Sequence, residues 1–162
     1  MEIKYFNSNF DKITQNKDTD QSITNLIEKL PSLNIVSDKN LLEETIKISN
    51  QFKEKKEKII VFGTGGSNLG ARALNNIISN NKIILEFYDN VDPINFEKNF
   101  QNINFELTGF LVISKSGTTP ETLSQFSCLY QKAIEVNKVK NFFSNTLIIT
   151  EFKESPLFKI AK

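Results

Sequence analysis

The residues best suited to chemistry lie in the segment 114–119, where an apolar run gives way to hydroxyl groups and one ammonium group. These groups belong to Ser114, Lys115, Ser116, Thr118 and Thr119. Pro120 favours the first turn of a helix, and a threonine before it favours the N-cap position. Because a helix start presents unpaired N–H groups and about half a positive charge, it attracts anions. The segment is therefore predicted to bind a phosphate group.

A second glycine-rich loop occupies residues 63–70, again directly after an apolar run. Five of the 6 glycines lie in the two loops, namely Gly63, Gly65, Gly66, Gly70 and Gly117. Clusters of serine, threonine and glycine are also ordinary turn chemistry, so either loop alone could be structural. Glycine, however, lets a backbone approach a ligand closely. Two such loops together favour a ligand site.

The loop sequences distinguish between classes of phosphate ligand. The dinucleotide pattern G-x-G-x-x-G fails at its third glycine, where Asn68 stands, and no Lys-Ser or Lys-Thr pair follows a glycine as a Walker loop requires. A nucleotide is therefore the weaker alternative. A small molecule with one phosphate fits better, because the second loop can hold the phosphate while Gly66 N–H and the Ser67 hydroxyl hold a hydroxyl-bearing body. A few hydrogen bonds to charged groups suggest micromolar to millimolar affinity.

Length, charge and residue types exclude several classes of function. With 162 residues, 39% of them apolar, the chain can bury one domain core. Its net charge of +1 gives no bulk reason to expect nucleic acid, and it has neither a long apolar stretch nor a signal peptide, so we expect a cytoplasmic protein that binds no membrane. Histidine is absent and Cys128 is the single cysteine, predicted to be a small core residue. No metal or cofactor is expected.

Hydrophobic patterning predicts alternating strands and helices. Helices are expected at 21–30, 39–53, 71–78, 93–100, 120–135 and from 157, and strands at 59–62, 83–88, 110–113 and 146–150. The helix at 39–53 would turn an apolar face inward, formed by Leu41, Leu42, Ile46, Ile48 and Phe52. This alternation predicts an α/β fold, a doubly wound parallel sheet with helices on both faces. In strand order 2-1-3-4 both loops would open into the crevice at the switch point.

The two loops also carry a family resemblance. Residues 63–70 resemble the G-x-G-G-S-x-L-G signature of glucose-6-phosphate isomerases, and residues 114–122 resemble their S-K-[ST]-x-T-T-x-E-T phosphate loop. Both motifs occur in the family's order. The resemblance implies a sugar isomerase (SIS) domain at 55–162 that binds a hexose 6-phosphate, preceded by an irregular segment and helices at 1–54. It implies Gly66 and Ser67 at the sugar, and around the phosphate Ser114, Lys115, Ser116, Gly117, Thr118 and Thr119.

The same resemblance implies an aldose–ketose isomerisation through a cis-enediol, performed by a glutamate, a histidine, a lysine and an arginine found downstream of this region in the family. None of these can be placed here, so no catalytic residue is assigned. Glu151 follows the last strand, but a solvated or capping role explains it more simply, and Lys115 could equally be a surface lysine.

These observations favour the N-terminal part of a longer isomerase, incomplete at its C-terminal end and inactive alone. A missing C-terminal domain and a second subunit, as a homodimer, would complete it. A non-catalytic sugar-phosphate sensor or regulatory module remains the alternative.

Overall fold

The computed structural model describes residues 17–78 and 82–162 and divides the chain into two units, Met1–Lys47 and Ile48–Lys162. The irregular segment predicted at the N-terminus lies largely outside the described residues. Within the described ranges, no helix is both long and apolar enough to cross a membrane.

The described residues of the first unit and the start of the second are helical. Helix α1 spans Lys17–Lys29, the short helix α2 spans Pro31–Asn34, and a 3-10 turn at Ile35–Ser37 leads into α3 at Lys39–Phe52. Pro31 starts a helix instead of only ending one, since a proline at the first helical position forfeits no hydrogen bond. Helix α1 begins before the predicted residue 21.

The predicted inward face of α3 is wrong for four of its five residues. Leu41, Leu42, Ile46 and Ile48 are exposed, and only Phe52 is half-buried. Helical spacing identifies an apolar stripe, but it does not say whether another element covers that stripe. Phe52 is different because its ring lies against Gly109, where an added Cβ would sit 3.0 Å from the ring.

The second unit is built on a four-stranded sheet in which every pair of neighbours is parallel. Its strands are β1 Lys58–Phe62, β2 Ile84–Tyr88, β3 Thr108–Ile113 and β4 Thr146–Ile149. The parallel sheet confirms the predicted fold class, and its order β2-β1-β3-β4 is the one in which both loops open at the switch point. Phe62 of β1 pairs with Tyr88 on one side and Val112 on the other, so these strands end at the same level.

In the part of the second unit that the structure describes, five helices connect and follow these strands. They are α4 Leu69–Ile77, α5 Pro93–Phe100, α6 Pro120–Glu135, α7 Val139–Ser144 and α8 Pro156–Ile160. Helices α5 and α6 have the predicted bounds. Helix α7 was not predicted, because six residues give too short a pattern to recognise.

Apolar side chains from alternate positions of β1 and β3 form the centre of the core. Ile60, Phe62, Phe110 and Val112 are at most 1% exposed. Buried residues from the helices and connections pack with them, namely Phe100, Phe105, Phe126, Leu129, Ala133, Phe142 and Leu157. Cys128 is exposed, so its predicted core position is wrong; its neighbour Leu129 takes the buried place on α6.

Candidate functional site

The two glycine-rich loops meet at the carboxyl edge of the sheet because they follow the neighbouring strands β1 and β3. Gly63 begins the first loop beside Ile113, the last residue of β3: a Cβ at Gly63 would lie 3.3 Å from the Ile113 carbonyl oxygen. It would also lie 3.2 Å from the Ser67 Cβ. The lack of a side chain at this position therefore allows both close approaches, and the loops start side by side.

The first loop folds back into a 3-10 turn at Gly65–Ser67. Gly65 has a φ of +52°, a left-handed conformation that favours glycine. The side-chain amide of the buried Asn68 donates to the Gly63 carbonyl oxygen at 3.1 Å. This hydrogen bond ties the turn back to the first residue of the loop. Gly66 is left exposed and Ser67 half-buried, so both predicted sugar contacts are accessible.

In the second loop, the Ser114 hydroxyl forms hydrogen bonds with other residues of the loop. Ser114 is 3% exposed, and its Oγ accepts a hydrogen bond from the Gly117 N–H at 3.0 Å. It also lies 2.8 Å from Thr119 Oγ1, in a bond that either hydroxyl can donate. A hydroxyl can make three hydrogen bonds, so Ser114 keeps the capacity for one more.

The remaining polar groups of the second loop face solvent. Ser116 and Thr118 are exposed, and Thr118 donates to Ser116 Oγ through its hydroxyl at 3.1 Å and through its N–H at 3.2 Å. The Lys115 ammonium lies 3.6 Å from a carboxylate oxygen of Glu151, with the lysine side chain 80% exposed. Two hydroxyls and one cation therefore stand at the open side of the loop.

Helix α6 starts without a side-chain cap. Thr119 occupies the predicted N-cap position, but its hydroxyl makes no capping bond to a described residue, since it points to Ser114 instead. The predicted N-cap position is thus confirmed, but without a capping bond from the threonine side chain. The first-turn N–H groups of a helix have no hydrogen-bond partner within the helix. In α6 the side chain of the N-cap residue Thr119 does not supply one.

The end of β2 supports the first loop from the other side. The Tyr88 carbonyl oxygen accepts from Gly63 N–H at 3.3 Å, and Gln125 on α6 donates to the Asn90 carbonyl oxygen at 2.6 Å. Burial, aided by the nearby Glu86 carboxylate, raises the pKa of the Tyr88 phenol, which therefore stays protonated at neutral pH.

Three buried side-chain oxygens near this edge find no hydrogen-bond partner within residues 17–78 and 82–162. They are Asn68 Oδ1, Thr122 Oγ1 and Gln125 Oε1. A buried oxygen without a partner costs free energy, which water or a ligand hydroxyl can relieve.

Comparison with known proteins places the chain in a family. The model of the phosphoglucose isomerase family matches residues 17–153. The chain belongs to the phosphoglucose isomerase family. The relationship inferred from the two loop motifs is thereby confirmed, although the roles of the individual loop residues stay predictions.

Individual relatives agree with this membership. The chain is 33% identical over 108 residues to the glucose-6-phosphate isomerase of Campylobacter jejuni, covering 64% of this chain and 26% of that protein. It is 35% identical over 126 residues to that of Borreliella burgdorferi strain ZS7, covering 74% and 23%. The chain thus spans about a quarter of the length of these curated relatives.

Solved structures resemble the fold. A crystal structure of a glucose-6-phosphate isomerase from Chlamydia trachomatis matches with a TM-score of 0.61 and 25% identity, over 71% of this chain and 23% of that one. A hypothetical protein from Thermus thermophilus matches with a TM-score of 0.66 and 24% identity, over 74% and 29%. The second likeness concerns the fold alone.

Two residues beside the second loop were missed as members of the site. Thr150 and Ser155 lie next to Gly117. In the sequence, Thr150 only ends a predicted strand, and Ser155 only precedes the helix predicted from 157. No sequence pattern relates a residue after β4 to a loop after β3; only the parallel pairing of the two strands does.

Proposed function

We propose that the two loops bind a hexose 6-phosphate, as the sugar-phosphate-binding part of a glucose-6-phosphate isomerase. The observation that carries this proposal is the uncapped start of α6 beside Ser116, Thr118 and Lys115. Family membership supports the choice of a hexose phosphate over other anions. Curated relatives named glucose-6-phosphate isomerase support it as well.

In this proposal the phosphate lies at the open side of the second loop. The hydroxyls of Ser116 and Thr118 are exposed there, and the first-turn N–H groups of α6 add donors and a favourable dipole. Lys115 adds a positive charge. Ser114, Gly117 and Thr119 shape the loop, and Ser114 retains one hydrogen bond for the ligand.

The sugar then extends toward the first loop. Gly66 N–H and the Ser67 hydroxyl are accessible on the loop that starts beside Ile113. A sugar hydroxyl both donates and accepts hydrogen bonds, which suits a backbone donor next to a serine. The ligand would bridge the two strands that form the middle of the sheet.

We assign this chain the binding step and place the proton transfer elsewhere. Moving a proton between adjacent carbons needs a positioned acid or base, and the chain spans only about a quarter of its curated relatives, whose remaining length can supply one. We propose that further residues of a longer chain and a second subunit, in a homodimer, supply these groups. The 162-residue chain should then show no isomerase activity alone, and measurable turnover would disprove this part.

A titration followed by amide NMR spectra tests the binding site. Glucose 6-phosphate should shift the amide signals of both loops, inorganic phosphate those of residues 114–122 only, and glucose should shift neither strongly. A chain whose loop signals stay unmoved by glucose 6-phosphate would overturn the proposal.

A matched pair of serine variants sharpens the test. Ser116→Ala removes an exposed hydroxyl of the loop, and we expect about a tenfold loss of affinity, the effect of one hydrogen bond to a charged group. Ser124→Ala removes a hydroxyl farther along α6 and should change nothing. Equal affinities in the two variants would place the phosphate elsewhere.

A further inference from the structure

The segment that follows β4 lies along the second loop and is joined to it by main-chain hydrogen bonds. Ser114 N–H donates to the Ile149 carbonyl oxygen at 3.0 Å, and Glu151 N–H donates to that of Lys115 at 3.1 Å. A third bond runs from Leu157 N–H to the Gly117 carbonyl oxygen at 3.2 Å. The main chain of Ser114, Lys115 and Gly117 is thus hydrogen-bonded to the segment 149–157.

Ser155 fills the space beside Gly117. Gly117 is buried with a φ of +66°, and a Cβ on it would collide with Ser155 Oγ, lying 2.5 Å from Ser155 Cβ and 2.8 Å from Thr150 Oγ1. Real Cβ atoms do not approach other atoms so closely. The position beside Gly117 that a side chain would take is therefore occupied by a side chain from another segment.

Ser155 is itself fixed in place. It is 4% exposed; its hydroxyl donates to the Phe152 carbonyl oxygen at 2.6 Å and accepts from Phe158 N–H at 3.3 Å as the N-cap of α8. Two residues later, Leu157 is fully buried in the core. A displacement of Ser155 would therefore disturb both its cap bond and the core.

We propose that Ser155 is a positioning residue for the phosphate loop. By occupying the space beside Gly117 it fixes the backbone at the centre of the loop, and so it sets the directions in which the neighbouring Ser116 and Thr118 present their hydroxyls. Ser155 does not touch the ligand. The inference rests on the proposed function, since it names what aligns the groups that bind the phosphate.

The test compares two N-cap residues in the full 162-residue chain. Ser155→Ala and Asp92→Ala each remove a side chain that accepts helix N–H groups, so each should cost similar stability. Of these two residues, Ser155 is the one that lies beside Gly117. We expect Ser155→Ala to weaken binding of glucose 6-phosphate and of inorganic phosphate by the same factor, about tenfold for one misaligned charged hydrogen bond, whereas Asp92→Ala leaves both affinities unchanged.

Ser155→Thr separates positioning from capping. Threonine keeps the capping hydroxyl but adds a methyl group to a buried side chain already in contact with Gly117, so phosphate affinity should fall although the cap bond is kept. If the wild-type chain binds both ligands and both Ser155 variants bind as tightly, the inference is wrong and the proposed function stands. If the wild-type chain binds neither, both fail. An affinity loss in Asp92→Ala equal to that in Ser155→Ala would also overturn the inference.

Discussion

The helices that follow the four strands begin in two different ways. After β2, the carboxylate of Asp92 accepts hydrogen bonds from Ile94 N–H at 3.0 Å and Asn95 N–H at 3.3 Å. After β4, Ser155 caps α8 in the same manner. After β1 and β3, the residues at the cap position are Asn68 and Thr119, and neither side chain makes a capping bond to a described residue.

At the capped starts, the side chain of the N-cap residue accepts hydrogen bonds from first-turn N–H groups. At the uncapped starts it does not, so these N–H groups remain available to a ligand. Asn68 turns its amide to the Gly63 carbonyl oxygen, and Thr119 turns its hydroxyl to Ser114. Both polar side chains brace a loop instead of a helix. Because β1 and β3 are neighbours in the centre of the sheet, the two available helix starts lie at the switch point, where a ligand can reach both.

The largest expected effect is on the free energy of unfolding, and it should differ between substitutions in the two loops. Gly117→Ala should lower the free energy of unfolding by about 2 kcal/mol or more, because it forces a side chain into a left-handed conformation and against Ser155. Gly66→Ala is the control, since among the described residues none but its chain neighbours lies within 4 Å of its added Cβ. Urea denaturation measures both. A similar loss in the two variants would show that the loops are equally tolerant.

Supplying the missing cap should close the phosphate site. In Thr119→Asp, a carboxylate at the N-cap can accept the first-turn N–H groups of α6 and repel an anion, so we expect phosphate affinity to fall about tenfold or more. Thr119→Asn, which caps without a charge, should lose less. Calorimetric titration with inorganic phosphate gives both values, and unchanged binding in Thr119→Asp would remove α6 from the site.

Removing a cap that exists should affect folding alone. Asp92→Ala should cost about 1 kcal/mol of unfolding free energy, because two N–H groups of α5 lose their acceptor. Asp92→Asn retains an oxygen acceptor and should recover most of that loss. Thermal or urea unfolding measures the stability of each variant. Equal stability of Asp92→Ala and the wild-type chain would mean that the side-chain cap of α5 contributes no stability.

The smallest expected effect comes from the ion pair between Lys115 and Glu151, beside the second loop. Both partners of the Lys115–Glu151 pair are exposed, so Glu151→Gln should change stability by only about a few tenths of a kcal/mol. It removes a negative charge beside the loop, however, and should raise phosphate affinity by about twofold at low salt. Glu154→Gln, whose partner is Lys159, should leave affinity unchanged. Identical affinities in the two variants would argue against a phosphate near Lys115.

The sequence predicted the parts of the fold that depend on long apolar patterns. The four strands and the bounds of α6 follow from continuous apolar runs and from one threonine–proline boundary. The short helix α7 and the exposure of Cys128 did not follow, because a few residues of pattern do not define which side of a helix is covered.

The site was predictable in its components but not in its hydrogen bonds. The composition of residues 114–119 indicated an anion loop, yet it gave no sign that Thr119 would bond to Ser114 instead of the helix. A threonine hydroxyl can choose among several local acceptors, and tertiary packing decides among them. The contact of Ser155 with Gly117 depends on strand pairing between distant segments, which local patterns do not encode.

The amide proton of Gly117 provides a direct measure of loop opening. It is donated to the hydroxyl and the carbonyl oxygen of Ser114, at 3.0 and 3.1 Å, in a residue shielded from solvent. Exchange of this one proton with deuterium therefore requires the loop to open locally, without unfolding of the sheet. Its protection factor converts into the free energy of that opening, and a bound anion should slow the exchange in proportion to its occupancy.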